Sequence, residues 1–355
     1  MRELCLRSYT TWIRTLGFAV CAVLLGPGAD AADLPCSPAT NYQYVLITSP
    51  EIRDAATTPT VGDLVVHRCS RGISATVVTM EDILAVPAYR GVDDAETLRN
   101  FIRNAHVNWR TEFVLLAGDE SIVLVRLLWV YAGNGGSHSA VSDLDFQCLD
   151  GSFNSDGDDK WGEPTDGPDG SDVDLVAEVH LGRLPARDPA QMANLVYKTL
   201  EYETGPGDDP YLRTSLMVGE ALGVEYGPGE FAFGYSYLQQ LRLGATGAGY
   251  TTTGFASRPS LTVDMLTDWE RSQSGLTRWD AAEMIATLSS NRYSIINHMT
   301  CHGSYYLALR MEQDAADSVT NTKPFFCYTQ SPRCGDIRED SIAERLLCSD
   351  RNGAF

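Results

Sequence analysis

Short apolar runs alternate with longer amphipathic stretches from residue 44 onward. Tyr44-Val45-Leu46-Ile47, Ala75-Thr76-Val77-Val78 and Phe113-Val114-Leu115-Leu116 are mostly apolar and bounded by polar residues or Gly, a pattern that predicts buried strands. Between the last two, Asp93 and Asp94 can cap a helix whose Leu98, Phe101, Ile102 and Ala105 recur at helical spacing. Strand, helix and strand at this spacing imply right-handed crossovers and a mostly parallel sheet.

Asp188-Pro189 supplies an N-cap and a Pro at the first helical position, and Met192, Leu195, Val196 and Leu200 form the buried stripe of the helix that follows. The run Gly205-Pro206-Gly207-Asp208-Asp209-Pro210 ends that helix and is the strongest breaker in the chain. A second series begins at Thr214-Ser215-Leu216-Met217-Val218, with further strands expected at 293–297 and 324–329 and a helix at 281–288. We therefore expect an α/β fold in two subdomains, each a mostly parallel sheet flanked by helices, spanning 32–207 and 208–355. No repeat of fixed period is visible.

Residues 1–31 stand apart from this pattern. Arg2, Arg7 and Arg14 precede the apolar run Leu16 to Leu25, which is short of the roughly 20 residues a bilayer span needs. Ala29-Asp30-Ala31 follows, and the whole reads as a secretory signal cleaved after Ala31. The expected location is therefore secreted, periplasmic or extracellular, with no membrane association once the signal is removed. The chain has 27 basic against 47 acidic residues, a formal charge of −20, which argues against nucleic acid or an anionic membrane as partner. Seven cysteines remain beyond the signal, so in an oxidising compartment at least one lacks an intramolecular disulfide partner.

The chemistry is expected where open parallel sheets bind ligands, at the C-terminal ends of the strands. Glu220 follows Leu216-Met217-Val218-Gly219, His302 follows Ile295-Ile296-Asn297-His298, and thiols occur in and after Phe325-Phe326-Cys327-Tyr328-Thr329-Gln330. A cysteine nucleophile needs an imidazole to generate thiolate, a carboxylate can orient that imidazole, and backbone amides must receive the developing oxyanion. His302-Gly303-Ser304 suits this role because Gly lets the backbone approach a substrate closely.

On these residues the chain resembles the gingipain-like secreted cysteine peptidases, whose catalytic domain is caspase-like. The resemblance runs through Phe113-Val114-Leu115-Leu116-Ala117-Gly118-Asp119, Leu149-Asp150-Gly151, Glu178-Val179-His180-Leu181-Gly182-Arg183-Leu184-Pro185 and Val218-Gly219-Glu220 to Asn297-His298-Met299-Thr300-Cys301-His302-Gly303-Ser304. It implies that His302 is the catalytic histidine, Gly303 an oxyanion-hole glycine and Glu220 the carboxylate that orients His302. It also implies a protein or peptide substrate. The nucleophile departs from the family pattern, in which Gly follows the cysteine by three positions: Gly335 places Pro332 there, and Cys334 lies two residues beyond. Either the loop is re-registered so that Cys334 is the nucleophile, with a thiol pKa depressed by His302, or the nucleophile is lost and the chain is a secreted binding module. Pro332 has no N–H to give an oxyanion.

Cys327 reads as a core residue, and Cys301 points away from its neighbour His302 on an extended segment. The pair His298 and His302 has the spacing of a helical zinc site, but the segment reads as strand. Residues 143–178 hold twelve acidic residues and a single basic one, Lys160, on a Gly-rich stretch. Asn154, Asp156 and Asp158 reproduce the alternating ligand positions of a calcium loop, and the resemblance also implies structural calcium. The resemblance further implies that the end of the chain leads into another strand, of which Ala354-Phe355 look like the first residues, so the C-terminal subdomain is expected to be truncated.

Overall fold

The computed structural model describes residues 41–131, 137–205, 207–221, 232–300, 304, 306–350 and 353–355. The N-terminal half is built on β1 (Tyr44–Thr48), β2 (Ala75–Thr79) and β3 (Phe113–Ala117), followed by an antiparallel ribbon of β4 (Arg126–Tyr131) and β5 (Ser137–Ser142). With β6 (His180–Leu184) the main strands form a parallel sheet in the order β2-β1-β3-β6.

All five residues of β1 are buried because both faces of its sheet are covered. Val45 and Ile47 face Leu98, Phe101 and Ile102 of the Asp94–Trp109 helix, while Tyr44 and Leu46 face Leu64 and Val65 of the Val61–Ser70 helix and Met192, Leu195 and Val196 of the Pro189–Thr204 helix. The two long helices begin as the sequence predicts. Asp93 accepts from Glu96 N, and Asp188 accepts from Ala190 N and Gln191 N with Pro189 at the first helical position.

The second half carries β7 (Thr214–Gly219), a ribbon of β8 (Thr246–Gly247) and β9 (Tyr250–Thr251), β10 (Thr262–Thr267) and β11 (Ile295–Met299). A second ribbon, β12 (Leu307–Ala308) and β13 (Met311–Glu312), precedes β14 (Phe326–Thr329). The main strands form another parallel sheet, in the order β10-β7-β11-β14. Its core packs Leu216, Val218 and Ile296 against Trp279, Met284, Leu288, Ile342 and Leu346.

The Ile342–Cys348 helix packs on the Pro189–Thr204 helix and joins the two halves. Leu347 and Cys348 touch the first sheet's core, Asn194 Nδ2 donates to Cys348 O at 3.4 Å, and Lys198 Nζ donates to Leu347 O. Lys198 is almost wholly buried, and burial lowers its pKa to about 8. Cys69 is disulfide-bonded to a partner outside the described residues, whereas Cys148, Cys327, Cys334 and Cys348 are not in disulfides.

Besides the three two-stranded ribbons, the structure adds to the main sheets two strands that periodicity alone did not reveal. β6 carries His180, Gly182 and Arg183, and β10 carries Thr262, Asp264 and Thr267; both are edge strands of their sheets, where polar residues are tolerated. The strands expected at 293–297 and 324–329 begin at Ile295 and Phe326. Ala354 forms an isolated parallel bridge with Phe325, and Phe355 N donates to Phe325 O at 3.2 Å.

Leu46 is fully buried in the central strand of its sheet. Leu46→Ala should therefore cost about 3 kcal/mol in urea unfolding, and a loss under about 1 kcal/mol would contradict this packing.

Candidate active site

Strand register assembles the site. On β7, Leu216 and Val218 face the core, and the period of two carries the same face to Glu220 one residue beyond the strand. Leu216 pairs with Asp264 and Ile296, and Val218 with Leu266 and His298. On β14, Cys327 pairs with Ile296 and Thr329 with His298. Extending the same rows past the strand ends places Asp268, Glu220, His298 and Thr329 on one face at the C-terminal edge. Gly219 makes room for this edge: a Cβ there would stand 3.0 Å from Gly234 C and 3.1 Å from Tyr235 N, at the start of the Phe233–Leu243 helix.

These side chains form a continuous chain of hydrogen bonds and ion pairs. Asp268 accepts Ala221 N at 2.7 Å and receives Arg310 through both guanidinium nitrogens, at 3.0 and 2.5 Å. Arg310 Nε lies 3.6 Å from Glu220 Oε2, and its guanidinium lies 4.1 Å from the centroid of the Trp279 ring. Glu220 Oε1 is 2.9 Å from His298 Nε2, and His298 Nδ1 is 2.9 Å from Thr329 Oγ1. Thr329 Oγ1 also accepts Ser331 N at 3.0 Å and is hydrogen-bonded to the Cys334 thiol. Arg310 reaches this position from a tight turn between β12 and β13 in which both Leu309 and Arg310 have positive φ, 53° and 56°. Two successive non-glycine residues in that region are costly, and the bidentate pairing with Asp268 is the compensation visible here.

Burial pushes the Glu220 carboxyl up, but the hydrogen bond and charge of His298, with Arg310 and Thr300, outweigh it and hold the pKa below its ordinary value. His298 has no exposed surface, and both its ring nitrogens are engaged, so it has no nitrogen to give a zinc ion.

Of the residues expected to act, Glu220 stands in this chain of contacts, while His302 and Gly303, with Cys301, lie outside the described residues. Cys334 is 6% exposed and packs in the core with Phe325, Ile342 and Leu346. A thiol pKa depressed by His302 was expected; instead burial raises it, opposed by the Thr329 hydroxyl and the backbone amide of Cys334. Pro332, which the resemblance placed at the nucleophile position, is exposed in the turn that Cys334 N closes onto Ser331 O at 3.5 Å. Cys327 faces the core as expected, and burial pushes its pKa up to about 12. Sequence reasoning passed over His298 and Thr329 as partners of Glu220. The available signal was period two, which puts His298 on the face of Ile296.

In the Asp-rich loop, carboxylate oxygens of Asp156, Asp158 and Glu163 lie within 4.8 Å of one another. Glu163 was not foreseen. Asn154, expected as a ligand, uses its carboxamide within the loop, accepting Gly157 N at 3.0 Å and donating to Asp158 O at 2.9 Å. Lys160 Nζ lies 3.3 Å from Asp158 and 3.6 Å from Glu163, the place of a counter-cation. Hard carboxylate oxygens suit calcium, and a bound ion would displace this exposed ammonium.

A carboxyl with a depressed folded pKa stabilises above its unfolded value, about 4.3, and that contribution is lost as pH falls through the folded pKa. Glu220→Gln should therefore flatten the fall in unfolding free energy between about pH 5 and pH 3. An acid limb as steep as the wild type's would contradict the assigned interactions.

The model of peptidase family C25 matches residues 37–355. Among solved structures, the Arg-specific cysteine proteinase gingipain R (RgpB) aligns with a TM-score of 0.61 at 16% identity, over 90% of this chain and 62% of that one. The complex of Porphyromonas gingivalis RgpB pro- and mature domains aligns with a TM-score of 0.61 at 16% identity, covering 88% and 62% of the two chains. A structure described as a protease aligns at 0.58 and 15%, covering 88% and 57%. This chain thus spans less than two thirds of those chains, and no curated protein matches it. With a family match over nearly all the residues beyond the N-terminal segment and a caspase-like arrangement of parallel sheets and flanking helices, the chain belongs to peptidase family C25, the gingipain family.

Proposed function

We propose that the chain is a secreted cysteine-type endopeptidase whose thiol is held in a latent position. The observation that carries this reading is the convergence of Glu220, His298, Thr329 and Cys334 at the C-terminal edge of a parallel sheet in a member of a cysteine peptidase family. In the working form the Gln330–Gly335 loop turns the Cys334 sulfur toward substrate. The sulfur attacks the peptide carbonyl carbon while His302 takes the thiol proton, and Gly303 N–H receives the oxyanion. His302 then returns the proton to the leaving amine, and water hydrolyses the thioester. In that form Glu220 exchanges His298 for the His302 imidazole and orients it. Protein or peptide is the substrate class, and the acidic surface disfavours nucleic acid.

A second reading, a binding protein without hydrolysis, is favoured by the exposed Pro332 and by the burial of Cys334. Cleavage of an unbiased peptide library, followed by mass spectrometry, separates the two. Turnover that Cys334→Ala and His302→Ala each reduce at least about a hundredfold supports the peptidase. No cleavage by either leaves the binding reading, and equal cleavage by wild type and Cys334→Ala removes Cys334 as the nucleophile.

Calcium is proposed at Asp156 and Asp158 with Glu163, beside Asn154. Binding to the folded state alone stabilises by about 2.7 kcal/mol at a hundredfold excess over Kd, so the melting temperature should rise with calcium and fall with chelator. Asp158→Asn should blunt the rise, and an unchanged melting temperature across the titration removes the site.

A further inference from the structure

Cys69 is disulfide-bonded, and Cys148, Cys327, Cys334 and Cys348 are free, so its partner is Cys5, Cys21, Cys36 or Cys301. A disulfide brings two Cα atoms to within about 7 Å, which makes the choice a matter of chain reach. Cys69 lies in the last turn of the Val61–Ser70 helix, partly buried against the first sheet's core. A tight turn follows, in which Gly72 N donates to Cys69 O at 3.0 Å and Ile73 N to Arg68 O at 3.1 Å. The next residue, Ser74, holds the segment that enters β1: Gln43 N donates to Ser74 Oγ at 3.0 Å and Tyr44 N to Ser74 O at 2.9 Å. The Arg68 guanidinium lies 5.3 Å from the centroid of the Tyr44 ring. The entry to β1 is thus laid beside the end of the helix that carries Cys69. Cys36 precedes Gln43 by seven residues, which span up to about 25 Å when extended. Cys301 instead follows Met299 by two residues, and Met299 pairs with Gly219 in the middle of the second sheet. The Cys69 helix packs chiefly on β1, β2 and the Pro50–Arg53 and Pro189–Thr204 helices, all in the first half.

We propose that Cys36 is the partner of Cys69, and that their bond ties the segment before β1 to the first sheet's helical layer. Two thiols lose two electrons and two protons when the bond forms. The oxidant is a disulfide of the oxidising compartment, which is reduced to two thiols by exchange. Cys5 and Cys21 are set aside because they leave with the signal, and on that point the inference rests on the secretory reading. Cys301 then keeps its thiol. The second half therefore carries a free thiol directly before His302 in addition to Cys334, and alkylation of the site must be read at both.

The test is peptide mapping of the exported chain, alkylated with N-ethylmaleimide in denaturant without reductant and then digested with trypsin. The expected product joins residues 32–53, which hold Cys36, to the tripeptide Cys69-Ser70-Arg71, and reduction abolishes it. Residues 293–310 should carry alkylated Cys301. Cys69 joined to residues 293–310, joined to Cys5 or Cys21, or recovered alkylated overturns the proposal. A retained signal would show the bond on residues 15–53 instead, with fragmentation placing it on Cys36, so failure of the secretory reading is distinguished from failure of the pairing. Cys36→Ser and Cys69→Ser should each lower the melting temperature by about 5 °C, and the double variant by no more than either alone. Losses that add would overturn a shared bond.

Discussion

The hydrogen bond between Glu220 and His298 is the constraint around which the second half of the molecule is arranged. It joins the ends of β7 and β11, adjacent central strands, through a carboxylate that is 7% exposed and an imidazole that is wholly buried. A charge in that setting is tolerated only with compensation close by. Arg310 supplies it from one side, held by Asp268 and by the Trp279 face, and the unusual backbone of the Leu309–Arg310 turn is the local cost of bringing it there. Thr329 completes the other side and passes the ordering on to the loop that carries Pro332 and Cys334.

The frame and the thiol point in different directions. Four parallel strands, an ionised glutamate at the end of one and a thiol two strands away are what a cysteine peptidase of this family needs. Yet the sulfur lies in the core beneath a closed turn, and the position where the nucleophile was expected holds an exposed proline. The proposed latent enzyme would reconcile the two, because the contacts around Cys334 run on to Glu220.

Much of the architecture was legible in the sequence because period and capping are local signals. The runs at Tyr44, Ala75, Phe113 and Thr214 became strands, and Asp93 and Asp188 cap the helices they were expected to cap. The polar edge strands β6 and β10 were not legible, since burial on one side only leaves no continuous apolar run. Within the site, Glu220 was found from its place after a strand. The partner the structure gives it, His298, was seen only as a possible metal ligand, because parallel register between strands nearly 80 residues apart is not written in either segment alone. The state of Cys334 depends on the same non-local packing.

A double-mutant cycle on Glu220 and His298, with Glu220→Gln, His298→Asn and the pair compared by urea unfolding at pH 7, measures their interaction most directly. A buried, charge-assisted contact that organises four strand ends should show a coupling energy above about 1 kcal/mol. Single losses that add to within about 0.5 kcal/mol would mean that the two side chains are merely neighbours, and the account built on them would be wrong.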